Sequence, residues 1–196
     1  VEREILTESN SAPLFGLVLA GGFSTRMLQD KAKLKFGEKY MYQVAMDVLR
    51  QVCDEVYLSC RSEQCSELDD VAIIPDELSS RGPITGILSA QKFNPQVAWL
   101  VIPVDMPYLN EKFIKNNLIA GRDHLKDATV LKDKQGSFLQ PLVAIYEPSS
   151  HLFLREGFNA NIYSLKAALN LMKIEVVEVE DPQHCLNNYN FPEDWK

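Results

Sequence analysis

The chain has 196 residues, 46% of them hydrophobic and 24% charged, and a formal charge of −7 at neutral pH. That length suits one well-buried α/β domain and is short for two, and no apolar run approaches the ~18 residues a membrane helix requires. The acidic balance argues against a general nucleic-acid binder, which draws on dense Lys and Arg surfaces, so neither a nucleic acid nor a membrane is expected as a partner.

In chain order, residues 1–13 are read as a flexible lead-in, because Thr7 to Pro13 is polar, Ser-rich and ends in proline. The remainder, 14–196, is read as a single domain. The chain opens on Val1 without the basic and apolar regions of a secretory signal, which gives a cytoplasmic expectation. Leu14 to Ala20 reads as a buried strand. It runs into Gly21-Gly22-Phe23-Ser24-Thr25-Arg26-Met27-Leu28-Gln29-Asp30-Lys31, a loop with two glycines and two cations. Glycines let backbone N–H groups approach an anion closely, and Arg26 and Lys31 add a forked donor and a mobile point charge. That combination suits a triphosphate, although the loop matches neither of the common phosphate-binding glycine patterns. Lys33 and Lys35 alternate with Leu34 and Phe36 and read as a solvated face.

Met41, Ala45, Val48, Leu49 and Val52 recur at helical spacing. Glu55 to Cys60 reads as the next strand, Val71 to Pro75 as a short one, and Pro83 to Ala90 as a helix with proline in its first turn. Val97 to Val104 is the most apolar run and ends at Asp105-Met106-Pro107, as a central strand running into a loop would. Ala128 to Leu131 and Leu139 to Tyr146 follow, with Gln135-Gly136 as the turn and an antiparallel pairing at the sheet edge as the expectation. Two helices, Ser149 to Phe158 and Ile162 to Met172, precede a strand at Ile174 to Val179. Strands alternating with helices over short connections predict an α/β fold, three-layered around a mostly parallel, doubly wound sheet. Ligands in such sheets sit beyond the carboxyl ends of the strands.

Asp105 is the sharpest acidic candidate, since a carboxylate ending a buried strand can hold Mg²⁺ where it meets phosphate oxygens. A helix cap before a proline-led turn is the competing role. Cys53, Cys60, Cys65 and Cys185 have no zinc-site spacing and read as reduced, mostly buried thiols. His124, His151 and His184 are scattered and read as surface or packing residues.

Leu19 to Lys31 resembles the signature of nucleotidyltransferases that consume a nucleoside triphosphate, written Leu-Ala-Gly-Gly-x-Ser-x-Arg-Met-Gly-x-Asp-Lys. Its Asp-Lys ending looks most like the MobA family, the molybdenum cofactor guanylyltransferases. Four further blocks are similar to that family and stand in its order. They are Asp76 with Gly82-Pro83-Ile84-Thr85-Gly86-Ile87, then Pro103-Val104-Asp105-Met106-Pro107-Tyr108, then Gln140-Pro141-Leu142-Val143-Ala144, and last Asn188-Tyr189-Asn190-Phe191-Pro192-Glu193-Asp194. The chain departs from the pattern at Leu28, where the family usually carries glycine, at Phe191 for threonine, and at Ser59 where asparagine often stands.

The resemblance implies a Rossmann-like nucleotidyltransferase that moves GMP from GTP to the phosphate of molybdopterin, or of its metal-loaded form, with release of pyrophosphate and with Mg²⁺ as cofactor. It implies Arg26, Lys31 and Asp105 as catalytic residues, and Leu19, Ala20, Gly21, Gly22, Lys31, Ser59, Asp76, Gly82, Pro83 and Asp105 around the nucleotide. Gln140, Asn188 and Asn190 are implied on the pterin side, and Asp105 as the metal ligand. GTP and molybdopterin are the implied partners, together with proteins of molybdoenzyme maturation. A cytidylyltransferase or other small-phosphate nucleotidyltransferase of the same fold, and a catalytically silent nucleotide-binding domain, are the alternatives.

Overall fold

The computed structural model describes residues 11–21, 31–65, 68, 71–78, 82–134, 138–180 and 184–189. Strand β1 (Leu14–Leu19) leads, after residues outside that set, to a single 3-10 turn over Lys31–Lys33 and a small hairpin, β2 (Lys35–Phe36) and β3 (Lys39–Tyr40). Gly37 turns the hairpin at φ 62°, a left-handed conformation that glycine adopts without steric cost. There follow α1 (Met41–Leu49), β4 (Val56–Cys60), α2 (Ser62–Cys65), β5 (Ile73–Pro75), α3 (Pro83–Phe93) and β6 (Ala98–Pro103). The second half holds α4 (Glu111–Ile114), continued as a π-helical turn over Lys115–Ile119, then β7 (Ala128–Asp133), β8 (Leu139–Tyr146), α5 (Ser150–Asn159), α6 (Leu165–Leu169) and β9 (Ile174–Val179).

Seven strands form the main sheet in the order β5-β4-β1-β6-β8-β7-β9. Four neighbours, β5, β4, β1 and β6, run parallel; β8 is antiparallel to both β6 and β7, and β9 is parallel to β7. The mostly parallel α/β architecture is the expected one. Every residue of β6 is buried, as its unbroken apolar run requires of a strand covered on both faces. One apolar cluster joins α1 and α4 to Val18, Leu58, Leu100 and Ile102, and a second joins α3, α5 and α6 to Leu17, Trp99, Val101 and Ala144. Alternate residues of β1 and β6 thus serve opposite clusters, which is the period-two geometry of a strand.

The structure revises several sequence expectations. The β7–β8 pair is antiparallel as expected but lies inside the sheet, because β8 also pairs with β6 and β9 takes the edge. The helix expected over Ile162 to Met172 is confined to Leu165–Leu169, since Asn161 is left-handed (φ 63°) and Ser164 Oγ accepts a bond from the Ala167 amide as N-cap. The Val71 strand begins only at Ile73. The Gln135-Gly136 turn lies outside the described residues. Ala12 and Pro13, assigned to the lead-in, are held by the domain: their carbonyls accept bonds from Arg122 Nη2 and from the Ala98 amide. No helix of the described residues is long and apolar enough to cross a membrane. Cys60 and Cys185 are buried and Cys53 and Cys65 half-buried, all four reduced.

Candidate functional site

The parallel register decides which residues meet. Leu19 pairs with Ser59 on one side and with Pro103 on the other, while Cys60 pairs with Pro75. The carboxyl ends of β5, β4, β1 and β6 therefore finish level, and the residues just past them, Asp76, Arg61, Ala20-Gly21 and Val104-Asp105, share one edge. The Ala20 amide donates to Ser59 O at 2.8 Å and the Val104 amide to Leu19 O at 3.3 Å, so the strand pairing extends into that edge.

Two glycines are set by close approach. A Cβ on Gly21 would stand 2.7 Å from Asp76 Oδ2, and one on Gly86 would stand 2.2 Å from Ser59 Oγ and 2.8 Å from Leu19 Cδ2. Real Cβ atoms do not tolerate such distances, so Gly21 leaves room for the Asp76 carboxylate and Gly86 lets α3 lie directly on β1 and β4. Ser59 Oγ donates to Asp76 Oδ1 at 2.7 Å, and the Asp76 amide donates to Cys60 O at 2.9 Å. Burial pushes the Asp76 carboxyl up from its ordinary value; the Ser59 hydroxyl and the Arg61 charge oppose that rise without cancelling it. A desolvated carboxyl at a strand end is a common feature of functional sites.

Gly82 precedes α3 at φ 91°, and its carbonyl accepts from the Thr85 amide at 3.2 Å and Thr85 Oγ1 at 2.7 Å. Pro83 follows as the first helical residue, where its missing N–H costs nothing. Ser89 Oγ, buried on the same helix, accepts from the Glu77 amide at 3.1 Å and so ties α3 to the loop behind Asp76.

On the other flank, Asp105 is half-buried at the end of β6. Its carbonyl accepts from the Tyr189 amide at 2.8 Å, and the Tyr189 ring meets Tyr108 edge-on at 5.0 Å; Tyr108 in turn meets Phe36 at 5.5 Å. These contacts dock residues 184–189 against the Asp105 loop and bring exposed Asn188 beside it. Asn110 adds a second tie, donating to Cys185 Sγ at 3.5 Å while its Oδ1 caps α4 through the Phe113 amide at 3.0 Å. Gln140 belongs to β8, whose register Val101↔Ala144 carries it past the end of β6 to the same edge. Helix capping falls to Asn110 rather than Asp105.

Of the residues singled out in the sequence, Leu19, Ala20, Gly21, Ser59, Asp76, Gly82, Pro83, Asp105, Gln140 and Asn188 are described and stand at or beside this edge. Gly22, Arg26, Leu28, Asn190 and Phe191 lie outside the described residues, and of Lys31 only the backbone is described. Gly86, Ser89, Tyr108 and Tyr189 were not singled out as site residues. Gly86, Tyr108 and Tyr189 stand inside the family-like blocks, but spacing carries no sign that Gly86 packs on Ser59 or that Tyr108 receives Tyr189. Among the described residues no group of three or more His, Cys, Asp or Glu side chains is placed to hold a metal. The hard carboxylate of Asp105 is of the kind that fits Mg²⁺, which takes one or two protein carboxylates and completes its shell with water and substrate phosphates.

A family model of MobA-like NTP transferase domains matches residues 16–171. The chain is 31% identical over 195 residues to a probable molybdenum cofactor guanylyltransferase of Opitutus terrae, covering 95% of each. It is 30% identical over 188 residues to a molybdenum cofactor biosynthesis bifunctional protein of Synechocystis, covering 95% of this chain but only 54%, about half, of that relative's length. Among solved structures, molybdopterin-guanine dinucleotide biosynthesis protein A of Archaeoglobus fulgidus superimposes with a TM-score of 0.76 over 92% of this chain and 94% of that one; at 21% identity this shows the shared fold.

Proposed function

The chain belongs to the family of MobA-like NTP transferase domains, and we propose that it transfers GMP from GTP to the terminal phosphate of molybdopterin or its metal-loaded form, releasing pyrophosphate. The observation that carries this reading is the convergence of Gly21, Ser59, Asp76 and Asp105 on one carboxyl edge of the parallel strands, where the first residues of the Leu19 to Lys31 motif stand. Relatives named as molybdenum cofactor guanylyltransferases supply the substrate class.

In this reading Gly21, Gly22 and nearby backbone N–H groups hold the triphosphate, Leu19 and Ala20 line it from the end of β1, and Arg26 faces the leaving end. Lys31 neutralises charge that develops at the α-phosphate, an effect worth roughly a hundredfold or more in rate for a well-placed donor. The attacking phosphate is already an anion and needs no general base, so the chain's work is alignment and charge neutralisation. Asp105 would hold Mg²⁺, which when bound would supply positive charge to offset that of the phosphates. Ser59, Asp76, Gly82 and Pro83 border the nucleoside, while Gln140, Asn188 and Asn190 offer amide groups to the pterin.

Thermal melting with GTP, CTP, ATP and UTP, each with and without Mg²⁺, tests the reading, because a ligand of the folded state raises its apparent stability. A Mg²⁺-dependent rise selective for GTP is expected. A rise selective for CTP overturns the guanylyl assignment in favour of a cytidylyl one, and no rise with any nucleotide overturns the enzyme reading altogether.

A further inference from the structure

The corner that follows β4 contains a pair of thiols that the proposed transfer does not use. Cys60 is the last residue of β4 and fully buried; Cys65 is the last residue of α2 and half-buried. Between them Gln64 Oε1 accepts from both the amide and Nε of Arg61 at 3.1 Å, which winds the chain tightly enough to return Cys65 over Cys60. The two Sγ atoms stand 3.2 Å apart, and Cys65 Sγ donates to Arg61 O at 3.4 Å. An approach of about 1 Å would bring the sulfurs to bonding distance. The other two thiols are placed differently. Cys185 sits against Asn110, and burial pushes the Cys53 thiol up to about 12, which keeps it protonated and a poor nucleophile.

We propose that Cys60 and Cys65 form a reversible internal disulfide by exchange with a low-molecular-weight disulfide, and that its closure weakens nucleotide binding at the adjoining edge. In the first step the Cys65 thiolate attacks one sulfur of the small disulfide and expels the other as a thiolate, leaving a mixed disulfide. Cys60 then loses its proton and attacks Cys65 Sγ, expelling the second small thiol. The protein dithiol gives up two electrons and two protons, and the small disulfide is reduced to two thiols. Half-buried Cys65 is the point of entry, and buried Cys60 resolves the intermediate.

The coupling to the nucleotide rests on the reading under Proposed function. Arg61 is enclosed by the ring that the disulfide closes. Its amide nitrogen is 3.8 Å from the point where a Cβ on Gly21 would stand, and its charge acts on Asp76, whose Oδ2 lies 2.7 Å from that same point. Drawing Cys65 inward shifts the turn that carries Arg61, and with it the amide beside Gly21 and the charge that acts on Asp76.

Exposure of the full chain to oxidised glutathione, followed by alkylation and tryptic digestion, tests the bond. Trypsin cleaves after Arg50, Arg61 and Arg81, so the disulfide appears as peptides 51–61 and 62–81 joined and separated by dithiothreitol, with Cys53 of the first peptide alkylated and Cys60 not. Such joined peptides are expected from the native chain and not from Cys65→Ser. Alkylation of both thiols, or glutathione retained on Cys65, overturns the proposal. Titration with a fluorescent GTP analogue then compares the reduced and oxidised proteins; about fivefold weaker binding on oxidation, restored by dithiothreitol, is expected. Equal affinities overturn the coupling, whereas a reduced protein that fails to bind overturns the nucleotide reading instead and leaves the disulfide to be judged by its peptides.

Discussion

The two halves of the sheet use the same kinds of polar residue for opposite purposes. In the half built from β8, β7 and β9, charged side chains are locked to one another. Arg122 donates through Nε and Nη2 to the two oxygens of Glu147 at 2.6 and 2.9 Å, with Glu147 only 3% exposed. Asp127 accepts from Ser149 Oγ at 2.7 Å and from the Lys173 amide at 2.8 Å, so both its oxygens are engaged by groups that staple loops to strands. In the parallel half, Asp76 stands just past a strand end, and its desolvation is only partly offset by the Ser59 hydroxyl and the Arg61 charge. A buried charge with full partners becomes costly to the fold when one partner is removed. One left partly desolvated at an edge costs stability and is available to a ligand.

Substitutions separate these roles. Arg122→Ala leaves Glu147 buried without its counter-charge and is expected to destabilise the chain by about 3–5 kcal/mol in denaturant unfolding; a much smaller loss would show that this pair is not the staple described. Lys31→Ala is expected to lower the rate of GMP transfer by roughly a hundredfold or more with an unchanged melting temperature, so ordinary turnover would remove the role assigned to that lysine. Gly86→Ala drives a methyl into Ser59 and Leu19 and is expected to cost about 1–3 kcal/mol, measured by thermal melting, and to weaken GTP binding as Ser59 and Asp76 are displaced.

The smallest effect is expected at Asp76, and its sign follows from burial. The folded state favours the neutral carboxyl, so the stability this group contributes is present below the ordinary carboxylate pKa and is lost as pH rises through the raised value. Asp76→Asn keeps an acceptor for Ser59 Oγ and removes the charge. Its melting temperature should exceed that of the native chain at about pH 7 and converge with it near about pH 4, while its affinity for GTP falls. A gap that widens towards low pH would reverse the assignment.

Legibility in the sequence followed the range of the interactions concerned. The β1 run, the glycine loop, the fully buried β6 and Asp105 at its end stand out because each is a local pattern of apolar period and turn chemistry. The hairpin at Gly37 and the short α2 were missed, since two-residue strands and single helical turns leave too few positions for a period to show; the helix from Glu111 was missed because its winding changes from α to π at Lys115, so that no single period spans it. The length of α6 was overestimated because Ser164 caps it at a point the apolar spacing does not mark.

What the sequence by itself determined is the set of buried strands, the parallel α/β class and the chemistry gathered between Leu19 and Lys31, all carried by residues close in the chain. The tertiary structure alone decided that β8 enters beside β6 rather than at the edge, that Gly21 yields space to Asp76 and Gly86 to Ser59, that Tyr189 is bonded to the Asp105 carbonyl, and that two cysteines meet across Arg61. These depend on strand register and on how helices pack against the sheet. One residue of slip would turn each side chain to the other face, and no local pattern records which slip is avoided.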